Sequence, residues 1–505
     1  MPQTAEASRL RRTLTSAPAL ALVCGALVSF GQAPFGLWPV TVLALAGMFH
    51  LIASAPNLRR AIGLGWWAGL GYIAATHHWI VMPFFVDAAR HGWMAPFALF
   101  AMSAGIALFW AAAAALGFVA GQDRTARLWA LAIALPLTDL GRAYVFTGFP
   151  WAPLGAIWLD TPVAQGAALV GPYGLALVTC LIPAALLTLH RHLVVSGLAL
   201  VPALALAGFG LLRETQPAPD TDLTFRVVQP NAAQHLKWDP DYVRDFFDLQ
   251  LTLTEAPVEG PSPDLIIWPE TAVAYGLGDK APAMKMMAAA SNDTPVMFGV
   301  QRRKGERLYN SLAVIGAGGQ VTATYDKARL VPFGEYTPYG AVLDDLLGIG
   351  NFAAEAGNGY SHGPRGQVLD LGPLGVARPL ICYEAIFPQD AGSNNGRPSW
   401  IANLTNDAWF GDSVMPRQHL AQTRLRAIEQ GLPAVRAANT GISAMIDAHG
   451  NVRERLDLKT RGYFDATLPG ALPETIYAKT GNLPGILLLF ALYGVLLYRA
   501  RLYPH

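Results

Sequence analysis

LGVARPLICYEAIFP (374–388) carries the reading of the whole chain. Residues 376–381 form an apolar run too short to cross a bilayer, and Gly375 and Pro379 disfavour a helix, so a buried strand is predicted with Cys382 at its exit. The chain has 3 cysteines, and the other two, Cys24 and Cys180, lie inside long apolar runs. Cys382 therefore lacks a plausible disulfide partner. A free cysteine is most often a small buried hydrophobe, and its neighbours decide whether it is more than that.

Outward from this stretch the chain divides by charge. Of 505 residues 53% are hydrophobic and 14% charged, with charges sparse before Arg213 and at ordinary soluble density from there to about Lys479. A net charge of +1 gives no electrostatic footprint for nucleic acid. Apolar runs at 15–32, 36–54, 62–84, 93–120, 127–146, 164–189, 193–212 and 483–498 approach the roughly 20 residues that a helical span needs. About eight spans are expected: seven in a membrane domain at 1–213 and one in 481–505, around a polar domain at 214–480. The first run resembles a signal peptide, but without a clear cleavage site it is better read as the first helix. Arg9, Arg11, Arg12, Arg59, Arg60, Arg124, Arg127 and Arg191 fall at the N-terminus and in alternate loops, and Arg499 and Arg501 follow the last run. That bias places both termini in the cytoplasm and the polar domain outside, which in a bacterium is the periplasmic side of the inner membrane.

Three features of the apolar part attract notice. Asp139 and Arg142 sit one helical turn apart and are read as an interfacial pair rather than an intramembrane functional one. The stretch FTGFPWAPLGAIW (146–158) is expected at headgroup depth, where Trp is favoured. His77 and His78 are adjacent, so on a helix they point apart and make a poor metal pair.

In the polar domain strands are predicted at 224–229, 264–270, 295–300, 400–405, 434–438 and 442–447, with a hairpin of 308–315 and 321–325 joined by GAGG. Helices are predicted at 239–255, with Pro240 in its first turn, at 281–290 and at 417–430. This mixture implies a layered α/β sandwich. Strand exits deliver Glu270 in DLIIWPE, Lys327 in YDKARLVPFGEYTP and Cys382, each flanked by apolar or aromatic residues. Separately, a Glu after Trp-Pro reads as a turn residue and a lysine as a surface cation. Together they suit acyl chemistry. A thiol near roughly 8.5 is a weak nucleophile until ionised. A desolvated carboxylate shifted towards about 6–7 is a serviceable base for it. A fixed cation and the N–H of Tyr383 can meet a developing oxyanion.

WPE (268–270), Lys327 and ICYE (381–384) resemble the Glu–Lys–Cys triad of the nitrilase, or carbon–nitrogen hydrolase, superfamily. With the apolar runs, KWDP (237–240), LVPFGEY (330–336), NDAWFG (406–411) and GFPW (148–151), the whole chain resembles the apolipoprotein N-acyltransferase family. NAAQH (231–235) departs from the family's usual apolar residue there. The resemblance implies a polytopic α-helical membrane protein carrying an αββα nitrilase-like domain. It also implies an acyl chain taken from a phospholipid, phosphatidylethanolamine foremost, onto Cys382 as a thioester. The acceptor is the α-amino group of a diacylglyceryl-cysteine apolipoprotein. Glu270 is then base and acid, Lys327 the oxyanion cation and Cys382 the nucleophile. Glu335 and Glu384 support Lys327 and the cysteine loop, Tyr383 follows the nucleophile, and Trp238, Trp409 and Phe410 are substrate contacts. No cofactor or metal is implied, and a monomer is expected. Both substrates are lipid-anchored, and lifting a long acyl chain into water would cost roughly 10 kcal/mol, which favours a membrane platform. A membrane-tethered amidase or nitrilase, with water as acceptor, is the competing enzyme. A ligand-binding transporter or receptor is the non-enzymatic alternative.

Overall fold

The computed structural model describes residues 16–258, 260–277, 281–338, 359–393 and 396–502. The basic cluster at Arg9, Arg11 and Arg12 lies outside them. The chain forms two compact units, Met1–Gln216 with Lys479–His505, and Pro217–Ala478.

The first unit is helical: α1 (Ala17–Val28), α2 (Trp38–Ala53), α3 (Leu58–Thr76), α4 (Ala95–Ala120), α5 (Arg124–Arg142), α6 (Ala167–Thr188), α7 (Leu193–Glu214) and, from the C-terminal segment, α8 (Leu483–Leu502). Small residues bring the helices close. A Cβ on Gly25 of α1 would lie 1.8 Å from the Ala68 carbonyl oxygen of α3, so only glycine permits that crossing. Within α6, Gly171 takes φ 64°, and Pro172 follows, which divides the helix into two pieces. Among the described residues four helical stretches are long and apolar enough to cross a membrane: Ala88–Ala120, Pro162–Thr188, Leu193–Glu214 and Leu483–Leu502. Ala17–Gly31 and Trp38–Ala53 are apolar but shorter.

Several local expectations change here. The run at 62–84 is not one helix, because α3 ends at Thr76 and a 3₁₀ segment follows from His78 to Phe85, with Pro83 inside it. Asp139 and Arg142 are both buried within the protein, and their ion pair closes at 2.6 Å. Arg142 also donates to the carbonyls of Phe149 (3.0 Å) and Trp151 (2.8 Å), while Asp139 accepts the N–H of Leu154 (3.3 Å). The pair fastens the aromatic stretch inward, so Trp151 and Trp158 are buried core residues, although Phe146 stays exposed. His77 is buried and His78 exposed, each turned to a different carbonyl, Ile73 and Ala75.

The second unit contains β1 (Asp220–Gln229), β2 (Leu265–Ile267), β3 (Val273–Leu277), β4 (Val296–Lys304), β5 (Arg307–Ile315), β6 (Val321–Asp326), β7 (Leu369–Asp370), β8 (Val376–Ile381), β9 (Trp400–Thr405), β10 (Ala434–Ala438), β11 (Ser443–Ile446), β12 (Val452–Leu456) and β13 (Gly462–Pro469). One sheet orders its strands β13-β1-β2-β4-β5-β6, with β3 also against β4, and the other β12-β11-β10-β9-β8-β7. Phe225, Val227, Ile267, Met297 and Leu312 of the first sheet pack face to face with Ile381, Trp400, Leu404, Val435 and Met445 of the second. The helix Val243–Glu255 and the helix Ala281–Ala290 cover the outer side of the first sheet through Phe247, Met284 and Met287. The helix Met415–Gln430 covers the second through Ala427, beside Ile401 and Ala434. The result is an αββα sandwich.

The helix expected from 239 begins only at Val243, because Asp239 and Asp241 close a turn through the Asp239 carboxylate. The strand series also continues past Asp447. The charged segment VRERL forms the edge strand β12, and β13 pairs antiparallel with β1. An edge strand with exposed charges lacks the apolar alternation that marks a strand.

Candidate active site

Glu270, Lys327 and Cys382 each follow a strand, but the strands belong to both sheets. Glu270 lies just beyond β2, Lys327 beyond β6 and Cys382 beyond β8. The turn holding Glu270 lies against β4, where a Cβ on Gly299 would meet the Thr271 nitrogen at 2.3 Å and the Glu270 Cα at 2.5 Å. Glycine at 299 is what lets the two backbones pass. Cys382 occupies φ 47°, an uncommon conformation for a residue with a side chain, at the start of a 3₁₀ turn to Ile386.

Glu270 and Lys327 are buried together, and Cys382, partly buried, is close enough to feel both charges. Lys327 Nζ lies 2.9 Å from Glu335 Oε1 and 3.4 Å from Glu270 Oε1. Asn310, on β5, donates from Nδ2 to Glu270 Oε1 (2.7 Å) and Glu335 Oε1 (2.8 Å), while the backbone N–H of Asn406 donates to Glu270 Oε2 (2.9 Å). Glu335 Oε2 accepts the N–H of Val331 (2.8 Å), which anchors the loop after Lys327. Glu384 binds both neighbouring loops. Its Oε1 accepts from the Tyr325 hydroxyl and the N–H groups of Ala328 and Arg329, and its Oε2 accepts the N–H of Ile381 at 2.7 Å. Thus Glu335 and Glu384 touch the segments expected of them.

Electrostatics distinguish the groups. Burial opposes the charge on Lys327, but the carboxylates of Glu335 and Glu270 outweigh it and hold the ammonium well above the ordinary lysine value. Burial pushes the Cys382 thiol up, reinforced by the Glu270 carboxylate and only partly opposed by Lys327. The resting sulfur is therefore a thiol, and its proton must leave as the sulfur attacks. A carboxylate beside it and a cation that stays charged can support attack on an acyl carbon, with the oxyanion held by charge and N–H donors. Burial also raises the Glu384 carboxyl, against the hydrogen bonds that it accepts.

Below the cysteine lies a second assembly that the sequence did not disclose. His419 is fully buried, with Nε2 3.0 Å from the Cys382 carbonyl oxygen and Nδ1 3.0 Å from Asp407 Oδ1. Arg436 Nη2 lies 2.6 Å from Asp407 Oδ2. Burial opposes the Asp407 charge, yet Arg436 and His419 hold its carboxyl at about 2. Donor atoms of Cys382, Asp407 and His419 fall within 4.8 Å of one another, as metal ligands can. A metal would first have to displace Arg436 from Asp407 and the Cys382 carbonyl from His419, so the set fits an ion poorly.

Lys237 was also missed, although KWDP contains it. Its Nζ donates to the Glu270 carbonyl (3.1 Å) and to Thr271 Oγ1 (2.7 Å), and burial lowers it to about 8 against the pull of Glu270. A lysine with no surface to reach and an asparagine in the middle of a strand, Asn310, are the signals that could have found these supports. Of the expected substrate contacts, Trp238 and Trp409 are exposed and Phe410 is half-buried.

Two family models match: the apolipoprotein N-acyltransferase N-terminal domain over residues 24–185 and carbon–nitrogen hydrolase over 227–477. The chain is 36% identical to an apolipoprotein N-acyltransferase of Rhodopseudomonas palustris, covering 95% of each chain. It is also 36% identical to that of Caulobacter vibrioides, over 98% of this chain and 97% of the relative. Among solved structures, it is similar to a carbon–nitrogen hydrolase superfamily protein from Xanthomonas campestris, 17% identical over 53% of this chain and 97% of that one, with a TM-score of 0.36. With end-to-end similarity of this kind, the chain belongs to the apolipoprotein N-acyltransferase family.

Proposed function

We propose that this enzyme moves an acyl chain from a phospholipid to the α-amino group of a diacylglyceryl-cysteine lipoprotein, through a thioester on Cys382. The observation that carries the reading is a buried carboxylate–ammonium pair beside a partly buried thiol, in a chain whose relatives, over nearly their full length, are named for this transfer. In the first half-reaction the Cys382 sulfur attacks the ester carbonyl while Glu270 takes the thiol proton. Lys327 and the N–H of Tyr383 hold the oxyanion. Collapse breaks the acyl C–O bond, and the departing glycerol oxygen takes the proton from Glu270. In the second half-reaction the lipoprotein amine attacks the thioester, Glu270 accepts an amine proton, and the leaving sulfur takes it back. Glu335 holds Lys327, Glu384 holds the cysteine loop, and Trp238, Trp409 and Phe410 contact substrate.

Phosphatidylethanolamine is the favoured donor, and the enzyme works as a monomer. Its membrane domain spans 1–213 and its catalytic domain 214–480, with 481–505 as the last helix and tail. We propose eight crossings and a catalytic domain on the periplasmic side of a bacterial inner membrane; the four long apolar helices support half of those crossings, and the arginines in alternate loops support the orientation. A carbon–nitrogen hydrolase reading is not favoured, since the similarity also covers the N-terminal domain that is specific to the acyltransferases.

Mass spectrometry of the peptide bearing Cys382 tests the reading. Phospholipid alone should give a hydroxylamine-sensitive acyl mass on Cys382 and one equivalent of lysophospholipid, and a diacylglyceryl lipopeptide should discharge it. Acyl transfer that continues in Cys382→Ala would overturn it.

A further inference from the structure

The reacting cysteine stands in a strained backbone conformation, φ 47°, and something must hold it there. Glu384 takes the N–H before the cysteine, that of Ile381. The carbonyl after it, that of Cys382, takes its hydrogen bond from His419 Nε2 at 3.0 Å. A carbonyl oxygen only accepts, so Nε2 is the donor in this bond. The ring has little freedom. It is fully buried on the helix Met415–Gln430, and its Nδ1 lies 3.0 Å from Asp407 Oδ1 and 3.2 Å from Arg436 Nη2. Asp407 is itself fixed by Arg436 at 2.6 Å and by the Thr405 hydroxyl at 2.9 Å.

The peptide between residues 382 and 383 is planar, so its C=O and N–H point in opposite directions. Holding the carbonyl oxygen on the helix side therefore turns the N–H of Tyr383 to the other side as a rigid consequence. We propose that His419 is a positioning residue for the oxyanion donor. Through the Cys382 carbonyl it sets the 382–383 peptide, so that the Tyr383 N–H is in place before the tetrahedral intermediate forms. His419 neither takes the thiol proton nor touches the acyl group. This rests on the acyl-thioester reading above, but it predicts a behaviour of the thiol that can be read without any lipid.

Two reactions of Cys382 separate the roles. Alkylation by iodoacetamide forms a C–S bond and expels iodide, with no oxyanion. Acylation by p-nitrophenyl acetate forms the thioester through a tetrahedral oxyanion and expels p-nitrophenol. Both rates are measured on the full-length protein, with Cys382→Ala as the blank, for wild type and for two variants of similar chemistry. His419→Gln carries an amide N–H about as far out as Nε2, and His419→Asn carries one that stops near Nδ1. In His419→Asn acylation should fall about tenfold or more with alkylation held within about twofold, because a displaced oxyanion donor costs only the oxyanion step. His419→Gln should restore acylation to within about threefold of wild type if reach to the carbonyl is what matters. Parallel loss of both rates, equal behaviour of the two variants, or unchanged acylation in His419→Asn would each overturn the proposal. Should His419→Asn fail to fold, His419→Phe takes its place under the same criteria, since it keeps the ring and loses both nitrogens. If wild type is acylated by the ester but never by phospholipid, the lipid reading fails while the positioning role stands.

Discussion

The molecule buries charge in two places, with opposite consequences. In the helical unit Arg142 spends its guanidinium on Asp139 and on the carbonyls of Phe149 and Trp151, and Asp139 holds a backbone N–H in return. Every one of those bonds ends on the protein's own frame, and the pair ties a loop to a helix. In the sandwich, Lys327 is shared unequally, close to Glu335 at 2.9 Å and looser to Glu270 at 3.4 Å, with a thiol beside them. Residue types and burial are alike, so neither marks a reactive site. What differs is the third party: a carbonyl closes the first set, whereas a titratable sulfur leaves the second able to move a proton.

That contrast can be broken from either end. The largest effect belongs to Glu270→Gln, which should cut acylation of Cys382 about a thousandfold in a single-turnover thioester assay, since the other nearby carboxylate, Asp407, is held by Arg436 and His419. Retained acylation would place the base elsewhere. Glu335→Gln comes next. It keeps the shape but removes the closer charge from Lys327, and about tenfold to a hundredfold of the rate should go while the protein still folds. Wild-type rates would reduce Glu335 to a loop anchor.

Asp139→Asn should do the reverse. Leaving Arg142 buried without its counter-charge is expected to cost on the order of 3 kcal/mol, read as a lower unfolding temperature. Acylation per folded molecule should stay within about twofold. A matching collapse in chemistry would make the two charge sets one system.

The smallest effect concerns Lys237, whose burial lowers it to about 8 from 10.5. Between those values the unfolded chain binds a proton there that the folded chain does not, so this residue makes stability rise with pH across about 8 to 10.5. Thermal unfolding of wild type against Lys237→Met should show wild type gaining relative stability over that window and no trend below it. A flat difference would mean that Lys237 stays charged when folded.

The residue types at the site and the strand exits that carry them were legible because both depend on short stretches. An apolar run of six residues before Cys382, between turn-forming neighbours, reads as a strand in any context, and β8 spans Val376–Ile381 as expected. Glu335 and Glu384 were legible as supports only through family resemblance, since nothing local says which cation or loop a carboxylate will meet.

Sequence alone determined the division into apolar and polar parts, a layered α/β sandwich and the strand exits that carry Glu270, Lys327 and Cys382, because composition, periodicity and turn chemistry act over a few residues; the αββα order came through family resemblance. Tertiary structure alone decided the rest. Asn310 meets Glu270 across 40 positions, and His419 meets the Cys382 carbonyl across 37. Asp139 and Arg142 fasten a loop because the stretch after the helix folds back over them. Such partnerships are set by strand order and by which face a helix buries. The two in the sandwich arise only when distant segments come together in the folded chain, and no short window along the chain contains them.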